Sequence, residues 1–386
     1  MTPTPQRGLR GSTEPLDTAY DVALLDLDGT VYLSGAAIPG AAEALRKADA
    51  AGMRLAYVTN NASRTPAAIA ALLSGFGIPA AARDVVTSAQ AAARMLAERL
   101  PAGAPVLVVG GSGLRMALRE RGLRPVSAAA EQPQAVVQGY SPDITYSLLE
   151  QGGLAVGAGA LFVASNADLT LPTRRGIQPG NGSFIQVIAT ATGVRPLVAG
   201  KPEPPLHHES VLRTGAKRPL VVGDRLDTDI ESAQRVDADS LLVLTGVTSP
   251  AEAILAPPLQ RPTYLAEDLA GLLEPHPEVT SRDGMYRCGE WTASRDGDRL
   301  ELAGDGTRID ALRALCAAAW ADGGVTAESA RAAAQRLDAT RLERRPVRVP
   351  AYTPEPRHPP VKRRVCCRPC QAAQSANTAT TRVSPP

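Results

Sequence analysis

ALLDLDGTVY, Ala23–Tyr32, runs an apolar segment into a Gly-Thr turn and places two aspartates, Asp26 and Asp28, at the junction. Asp21–Asp28 reads as a short buried strand of the parallel-sheet type. Alternate residues on a strand share a face, so both carboxylates point the same way. At the carboxyl end of a parallel strand that face opens on the crevice where α/β proteins bind ligands. Two close carboxylates repel each other unless a cation lies between them or one takes a proton. Oxygen ligands of this kind, completed by water and a substrate phosphate, suit Mg2+. An ordinary Asp-Gly turn with a capping Asp28 accounts for these residues equally well.

Outward from this stretch, strands and helices alternate. A helix over Pro39–Gly52, a strand over Arg54–Asn61 and a helix over Thr65–Gly77 follow, which implies a parallel sheet with right-handed crossovers. A helix is expected from Val85 onward. Strands follow at Ala104–Gly113, Ala135–Tyr140, Ala160–Asn166, Arg218–Asp224 and Ser240–Gly246, with a helix over Ser183–Gly193. From about Glu274 the texture changes. Met285–Gly304 reads as a β-hairpin turning at Asp296-Gly297, and two amphipathic helices follow, a small ββαα unit over residues 274–340. Residues 1–19 read as a flexible lead-in and 341–386 as a disordered basic tail.

Composition narrows the function classes. The chain has 386 residues, 44% hydrophobic and 21% charged, with a net charge of +2. Residues 341–386 carry ten Lys/Arg against Glu343 and Glu355, so the basic charge belongs to the tail. That tail has a single aromatic, Tyr352, and no nucleic-acid partner is expected. The five cysteines all follow residue 287, so the main body has no disulfide framework. The CCRPC run, Cys366–Cys370, lacks the second Cys/His pair of a zinc site. No eighteen-residue apolar run and no signal-peptide core occur, so a cytoplasmic protein with no membrane contact is expected.

Three further segments bear on the two aspartates. The strand ending YVTNNASR supplies Thr59, Asn60 and Asn61, a hydroxyl with backbone N–H groups at a strand-to-helix junction. Such a junction can cradle an oxyanion, or simply cap the next helix. AGKPEPP sets Lys201, one of four lysines in an arginine-rich chain, on a bend where it can neutralise a phosphate or sit as a surface charge. LVVGDRLDTDI ends another strand in Asp224, with Asp227 and Asp229 close behind. Charges at the start of the next helix explain Asp227 or Asp229 but explain Asp224 poorly.

Taken together and in this order, the four segments resemble the haloacid-dehalogenase-like hydrolase superfamily. DLDGT matches its first motif, Thr59 its second, Lys201 its third and GDRLDTD its fourth. Within it, DLDGTVY, VTNNASR, GKPEPP and VGDRLDTDI look like the p-nitrophenyl phosphatase/phosphoglycolate phosphatase-like branch. The resemblance covers roughly residues 20–273. It implies a Rossmann-like, doubly wound parallel α/β core over 20–81 and 196–273, with an α/β cap that sets specificity inserted over 82–195.

The resemblance also implies a chemistry. Asp26 would be the nucleophile and form an aspartyl-phosphate; Asp28 would be the general acid and base. Mg2+ would be held by Asp26, the Asp28 carbonyl and Asp224. Thr59, the Asn60 backbone and Lys201 would bind phosphate, and Asp229 would orient Lys201 or a metal-bound water. Cap residues Asn166, Asp168, Arg174 and Arg175 are the candidates to meet the leaving group. The layout further resembles glycerol-3-phosphate phosphatases of high-GC bacteria. A small phosphorylated metabolite, first glycerol 3-phosphate and then phosphoglycolate, pyridoxal phosphate or a nucleotide, is therefore the expected partner, with a homodimer through the cap. A non-catalytic regulatory module on the same scaffold is the rival expectation, and transfer of the phosphoryl group to another acceptor is a third.

Overall fold

The structure is a computed structural model, and it describes residues 8–33, 35–173, 176–321 and 324–343. The chain enters β1 (Val22–Leu25), crosses by α1 (Ala41–Ala50) to β2 (Arg54–Thr59), and by α2 (Pro66–Gly75) to β3 (Val85–Thr87). Helix α3 (Ser88–Ala97) leads into a second α/β unit: β4 (Pro105–Val109), α4 (Ser112–Glu120), β5 (Arg124–Val126), β6 (Ala135–Gln138), α5 (Tyr146–Gly157) and β7 (Leu161–Ala164). An antiparallel pair, β8 (Thr170–Thr173) and β9 (Gly176–Pro179), precedes α6 (Asn181–Thr192) and β10 (Leu197–Val198). The chain returns through α7 (Pro204–Thr214) to β11 (Pro219–Gly223), β12 (Asp239–Val243) and β13 (Tyr264–Ala266).

Six of these strands form one parallel sheet in the order β13-β12-β11-β1-β2-β3. Its strands are buried on both faces. Ala23 and Leu25 of β1 pack with Leu45, Ile69 and Leu73 on one side. Val22 and Leu24 pack with Ala92, Leu96 and Leu206 on the other. This explains why the strand is uniformly apolar rather than alternating. A second parallel sheet has the order β10-β7-β6-β4-β5. Side-chain ion pairs tie its flank to the first unit: buried Glu209 on α7 accepts from Arg94 on α3 and from Arg121, at 2.8 Å, just past α4.

The structure departs from expectation in four places. Val85–Thr87 is a strand, not the start of a helix: its β-branched run pairs with β2, and Thr87 then caps α3 through the Gln90 N–H. The second sheet accordingly begins at Pro105 and takes in Leu197–Val198, so it is displaced from the expected 82–195 interval. Residues 8–19 are not a loose lead-in: Ser12 exchanges backbone bonds of 2.8 and 2.9 Å with His276, and Leu16 is fully buried.

The fourth departure is the C-terminal unit. It has a four-stranded antiparallel sheet, β14 (Thr280–Arg282), β15 (Met285–Cys288), β16 (Trp291–Asp296) and β17 (Arg299–Ala303), followed by α8 (Arg308–Trp320) and α9 (Ala327–Glu343). The tight turn lies at Gly297-Asp298, between the paired Asp296 and Arg299. Met285–Cys288 falls within the expected hairpin segment but forms a strand of its own, and β14 is short and polar with every residue exposed, so it leaves little apolar pattern. This unit shares an apolar cluster with the main sheet: Leu226, Leu242, Ile254 and Leu265 pack with Trp291, Leu312, Leu315 and Trp320. Among the described residues no helix is long and apolar enough to cross a membrane. The expected tail lies outside the described residues, apart from the end of α9.

Candidate active site

Three adjacent strands, β11, β1 and β2, end side by side, and their next or last residues are Asp224, Asp26 and Thr59. The Asp26 N–H donates to Val222 O at 2.8 Å, carrying the ladder one residue beyond β1 and fixing where its side chain begins. The Lys201 ammonium donates to Asp26 Oδ1, to Asp229 Oδ1 at 2.6 Å and to Val58 O at 3.3 Å. Burial alone would lower the Lys201 pKa, but Asp229 and Asp26 outweigh it and hold the lysine above its ordinary range. Burial raises the Asp26 carboxyl well above its usual range, with Lys201 opposing and Asp229 and Asp224 adding to the rise.

Asp28 lies past the strand. The N–H groups of Thr30, Val31 and Tyr32 converge on Leu27 O, which turns the chain sharply there. The Asp28 carboxylate accepts from Tyr32 Oη at 3.3 Å. Its residue surface is exposed, yet the cleft walls desolvate the carboxyl and raise its pKa, with Tyr32 and Arg64 opposing.

Asp224 is fully buried and doubly held: Thr30 Oγ1 donates to Oδ1 at 3.2 Å and the Val247 N–H to Oδ2 at 2.7 Å. Burial and the neighbouring Asp229 push its carboxyl up to about 6. Two glycines make room for it. A Cβ on Gly29, which has φ +94°, would come 2.4 Å from Asp224 Oδ2, and one on Gly246 would come 2.0 Å from the same atom. Asp229 is reached through one π-type turn, Leu226–Ile230, and its Oδ2 accepts from the Arg225 N–H at 3.2 Å. Asp227 points away into an ion pair with Arg225 at 2.8 Å.

Thr59 Oγ1 accepts from the Asn61 N–H at 3.1 Å. The Asn60 side chain has a task that its position in the sequence did not announce. Its Oδ1 accepts from the Lys201 N–H at 2.8 Å, and its Nδ2 donates to Lys201 O at 3.0 Å and to Asp168 Oδ2 at 3.2 Å. It thus clamps the lysine loop and links it to the second unit.

The cap candidates divide. Asp168 lines the cleft, and burial raises its carboxyl, with Arg225 opposing. Asn166 lines the same cleft but its amide is engaged within the protein: Nδ2 donates to Asn60 O at 2.7 Å and Oδ1 accepts from the Asp168 N–H at 3.2 Å. It positions the loop rather than offering a free group. Arg174 and Arg175 lie outside the described residues. Tyr140, Thr170, Leu171 and Asn181, which sequence reading missed, complete a cleft of about 270 Å³ together with Asp26, Asp28, Thr59, Asn60 and Lys201. Thr170, Leu171 and Asn181 lie in the same segment, 165–183, as the cap candidates named from the sequence, whereas Tyr140 carried no sequence signal.

Asp26, Asp224 and Asp229 each bring a carboxylate oxygen within 4.8 Å of the others. An all-oxygen set of this kind, with Gly29 and Gly246 leaving room for Asp224, fits a hard divalent cation such as Mg2+. Asp26 and Asp229 each already bond Lys201 through Oδ1.

The chain is similar to known proteins over most of its length. Residues 23–124 match the haloacid dehalogenase-like hydrolase model, 198–272 a HAD-hydrolase-like model, and 288–342 a GCN5-related N-acetyltransferase-like domain. The D-glycerol 3-phosphate phosphatase of Mycobacterium tuberculosis is 45% identical over 311 residues, 78% of this chain and 86% of that protein. An acid sugar phosphatase of Staphylococcus saprophyticus is 40% identical, covering 65% of this chain and 95% of its own. The crystal structure of a glycerol phosphate phosphatase from Mycobacterium tuberculosis in complex with magnesium matches with a TM-score of 0.76 and 42% identity. That match covers 84% of this chain and 99% of the other.

Proposed function

Because the chain belongs to the haloacid-dehalogenase-like hydrolases and is a phosphatase of that family, we propose that it is a Mg2+-dependent phosphomonoesterase that hydrolyses glycerol 3-phosphate through an aspartyl-phosphate on Asp26. The observation that carries this reading is the convergence of Lys201 on Asp26 and Asp229, with Asp224 beside them.

In the proposed sequence, Asp26 Oδ attacks phosphorus and the P–O bond to the leaving alcohol breaks. Asp28 gives its proton to the departing oxygen; its raised pKa favours holding that proton until needed. The resulting Asp28 carboxylate then takes a proton from water, which attacks the phosphoryl group and releases Asp26. Lys201, the Thr59 hydroxyl and the Asn60 N–H meet the equatorial oxygens. Asp26, Asp224 and the Asp28 carbonyl would hold Mg2+, which when bound would neutralise charge at the phosphoryl group. Asp229 orients the lysine, in keeping with their 2.6 Å contact.

The magnesium-bound and D-glycerol 3-phosphate-named relatives support the cofactor and the substrate. A phosphate-release screen over glycerol 3-phosphate, phosphoglycolate, pyridoxal phosphate and nucleotides tests the choice. Glycerol 3-phosphate should give the highest kcat/KM, and a clear preference for another member would replace it. We also propose a homodimer through the second α/β unit, where Tyr146, Leu154 and Ile177 are exposed apolar side chains. Light scattering on the full chain should give twice the monomer mass.

A further inference from the structure

We propose that the cleft selects a neutral, hydroxyl-bearing leaving group over a carboxylate, and that Asn181 Oδ1 receives one of its hydroxyls. The inference rests on the phosphatase reading above. Asn181 is the first residue of α6, is 1% exposed and lines the cleft. Its Nδ2 donates to Asn166 O at 2.6 Å, which fixes the amide plane and settles which end is oxygen. The other end, Oδ1, is buried and has no hydrogen-bond partner. A buried acceptor left unmatched is costly, and a substrate hydroxyl would match it.

The surroundings hold that acceptor still. The Gly180 N–H donates to Leu169 O and the Gly182 N–H to Asp168 O, both at 2.8 Å. A Cβ on Gly180 would come 2.2 Å from Asp168 O, and one on Gly182 2.3 Å from Ala167 O, so the turn bearing Asn181 is pressed onto the Asp168 loop. The Asp168 carboxylate is a second acceptor in the same cleft. Among the described residues that line it, the cations are Lys201 and Arg225. Lys201 lies between Asp26 and Asp229, and Arg225 makes two bonds to Asp227, at 3.0 and 2.8 Å. Arg64 is exposed and acts on Asp28 without lining the cleft. A polyol can donate to both acceptors. A carboxylate would face them with no unpaired cation among the described residues that line the cleft, which is discrimination by mismatch.

The test compares kcat/KM for glycerol 3-phosphate, phosphoglycolate, n-propyl phosphate and p-nitrophenyl phosphate. Wild-type protein should prefer glycerol 3-phosphate to both phosphoglycolate and n-propyl phosphate by about tenfold or more. In Asn181→Ala and Asn181→Ser the ratio of glycerol 3-phosphate to n-propyl phosphate should fall about tenfold, a change in selectivity that a folding defect would not produce. Phosphoglycolate turned over as well as glycerol 3-phosphate by the wild type would overturn the inference without any variant. An unchanged ratio in a variant that melts like the wild type would also overturn it. Failure to hydrolyse any of the four, p-nitrophenyl phosphate included, would overturn the phosphatase reading itself and this inference with it.

Discussion

Lys201 Nζ stands 2.6 Å from Asp229 Oδ1 and bonds Asp26 with the same ammonium, although Asp26 is 175 positions away in the chain. The lysine is 6% exposed, so its charge is held by the two aspartates rather than by water. Removing it leaves two buried carboxylates facing each other with no cation of the protein between them. Lys201→Met should therefore lower kcat/KM for any phosphomonoester by about 10² to 10³, as loss of a charge-stabilising donor does. Steady-state kinetics on p-nitrophenyl phosphate checks it; a loss of less than about threefold would show that the lysine does not meet the transferred group.

The two glycines against Asp224 give a second test. Gly246→Ala sets a methyl 2.0 Å from Asp224 Oδ2, so the carboxylate must turn or the loop must shift. Mg2+ affinity should fall about tenfold or more, as it does when a ligand's support is disturbed. Asp224→Asn should weaken it further. Titration calorimetry with Mg2+ reads both, and wild-type affinity in either variant would remove Asp224 from the ligand set.

Much of this was readable in the chain because strand ends declare themselves. Asp26, Thr59 and Asp224 each follow or close a buried apolar run, so their place at one sheet edge follows from parallel topology. Lys201 could be tied to them only through the family resemblance, since a lone lysine on a bend carries no geometric signal. The Asn60 side chain, the Val247 N–H and Asn181 escaped notice because their roles depend on contacts between distant segments. The strand at Val85–Thr87 runs without a break into a helix, because Thr87 both closes the edge strand and caps the helix that follows, so the sequence reads as one helical segment. The strand at Thr280–Arg282 escaped notice because its three residues are all exposed and show no alternation.

The C-terminal unit is built into the core. Trp320 Nε1 donates to Ala253 O at 3.2 Å, and Leu312 and Leu315 are fully buried against the face that holds Leu242 and Leu265. Ending the chain at Leu273 would uncover that face, and each buried leucine or tryptophan lost is worth about 1.5–3 kcal/mol. The truncated chain should be insoluble or melt well below the full chain. Equal melting temperatures by calorimetry would show that the unit is not needed for stability.

His276 should make the protein sensitive to acid. Its Nε2 bonds Gly271 O at 2.8 Å and its Nδ1 lies 3.0 Å from Arg313 Nη2, so the ring is held neutral with Nδ1 accepting. Burial lowers its pKa to about 4, Gly271 opposes, and Arg313 lowers it further. The unfolded ring titrates near 6.5, so the unfolded state binds the extra proton first. Stability from this group is whole above about pH 6.5 and falls as pH drops toward about 4, by about 3 kcal/mol in all. Denaturant melts of wild type and His276→Gln across that window should show a shallower slope in the variant. Parallel slopes would mean that His276 does not titrate as the structure implies.

The most direct test of the central claim is a rapid acid quench of one turnover with phosphate-labelled glycerol 3-phosphate and Mg2+, followed by mapping of the labelled peptide. The account predicts transient label on the peptide carrying Asp26, absent in Asp26→Asn and absent when EDTA removes the metal. Phosphate released at the wild-type rate by Asp26→Asn, or turnover that never passes through labelled protein, would contradict it.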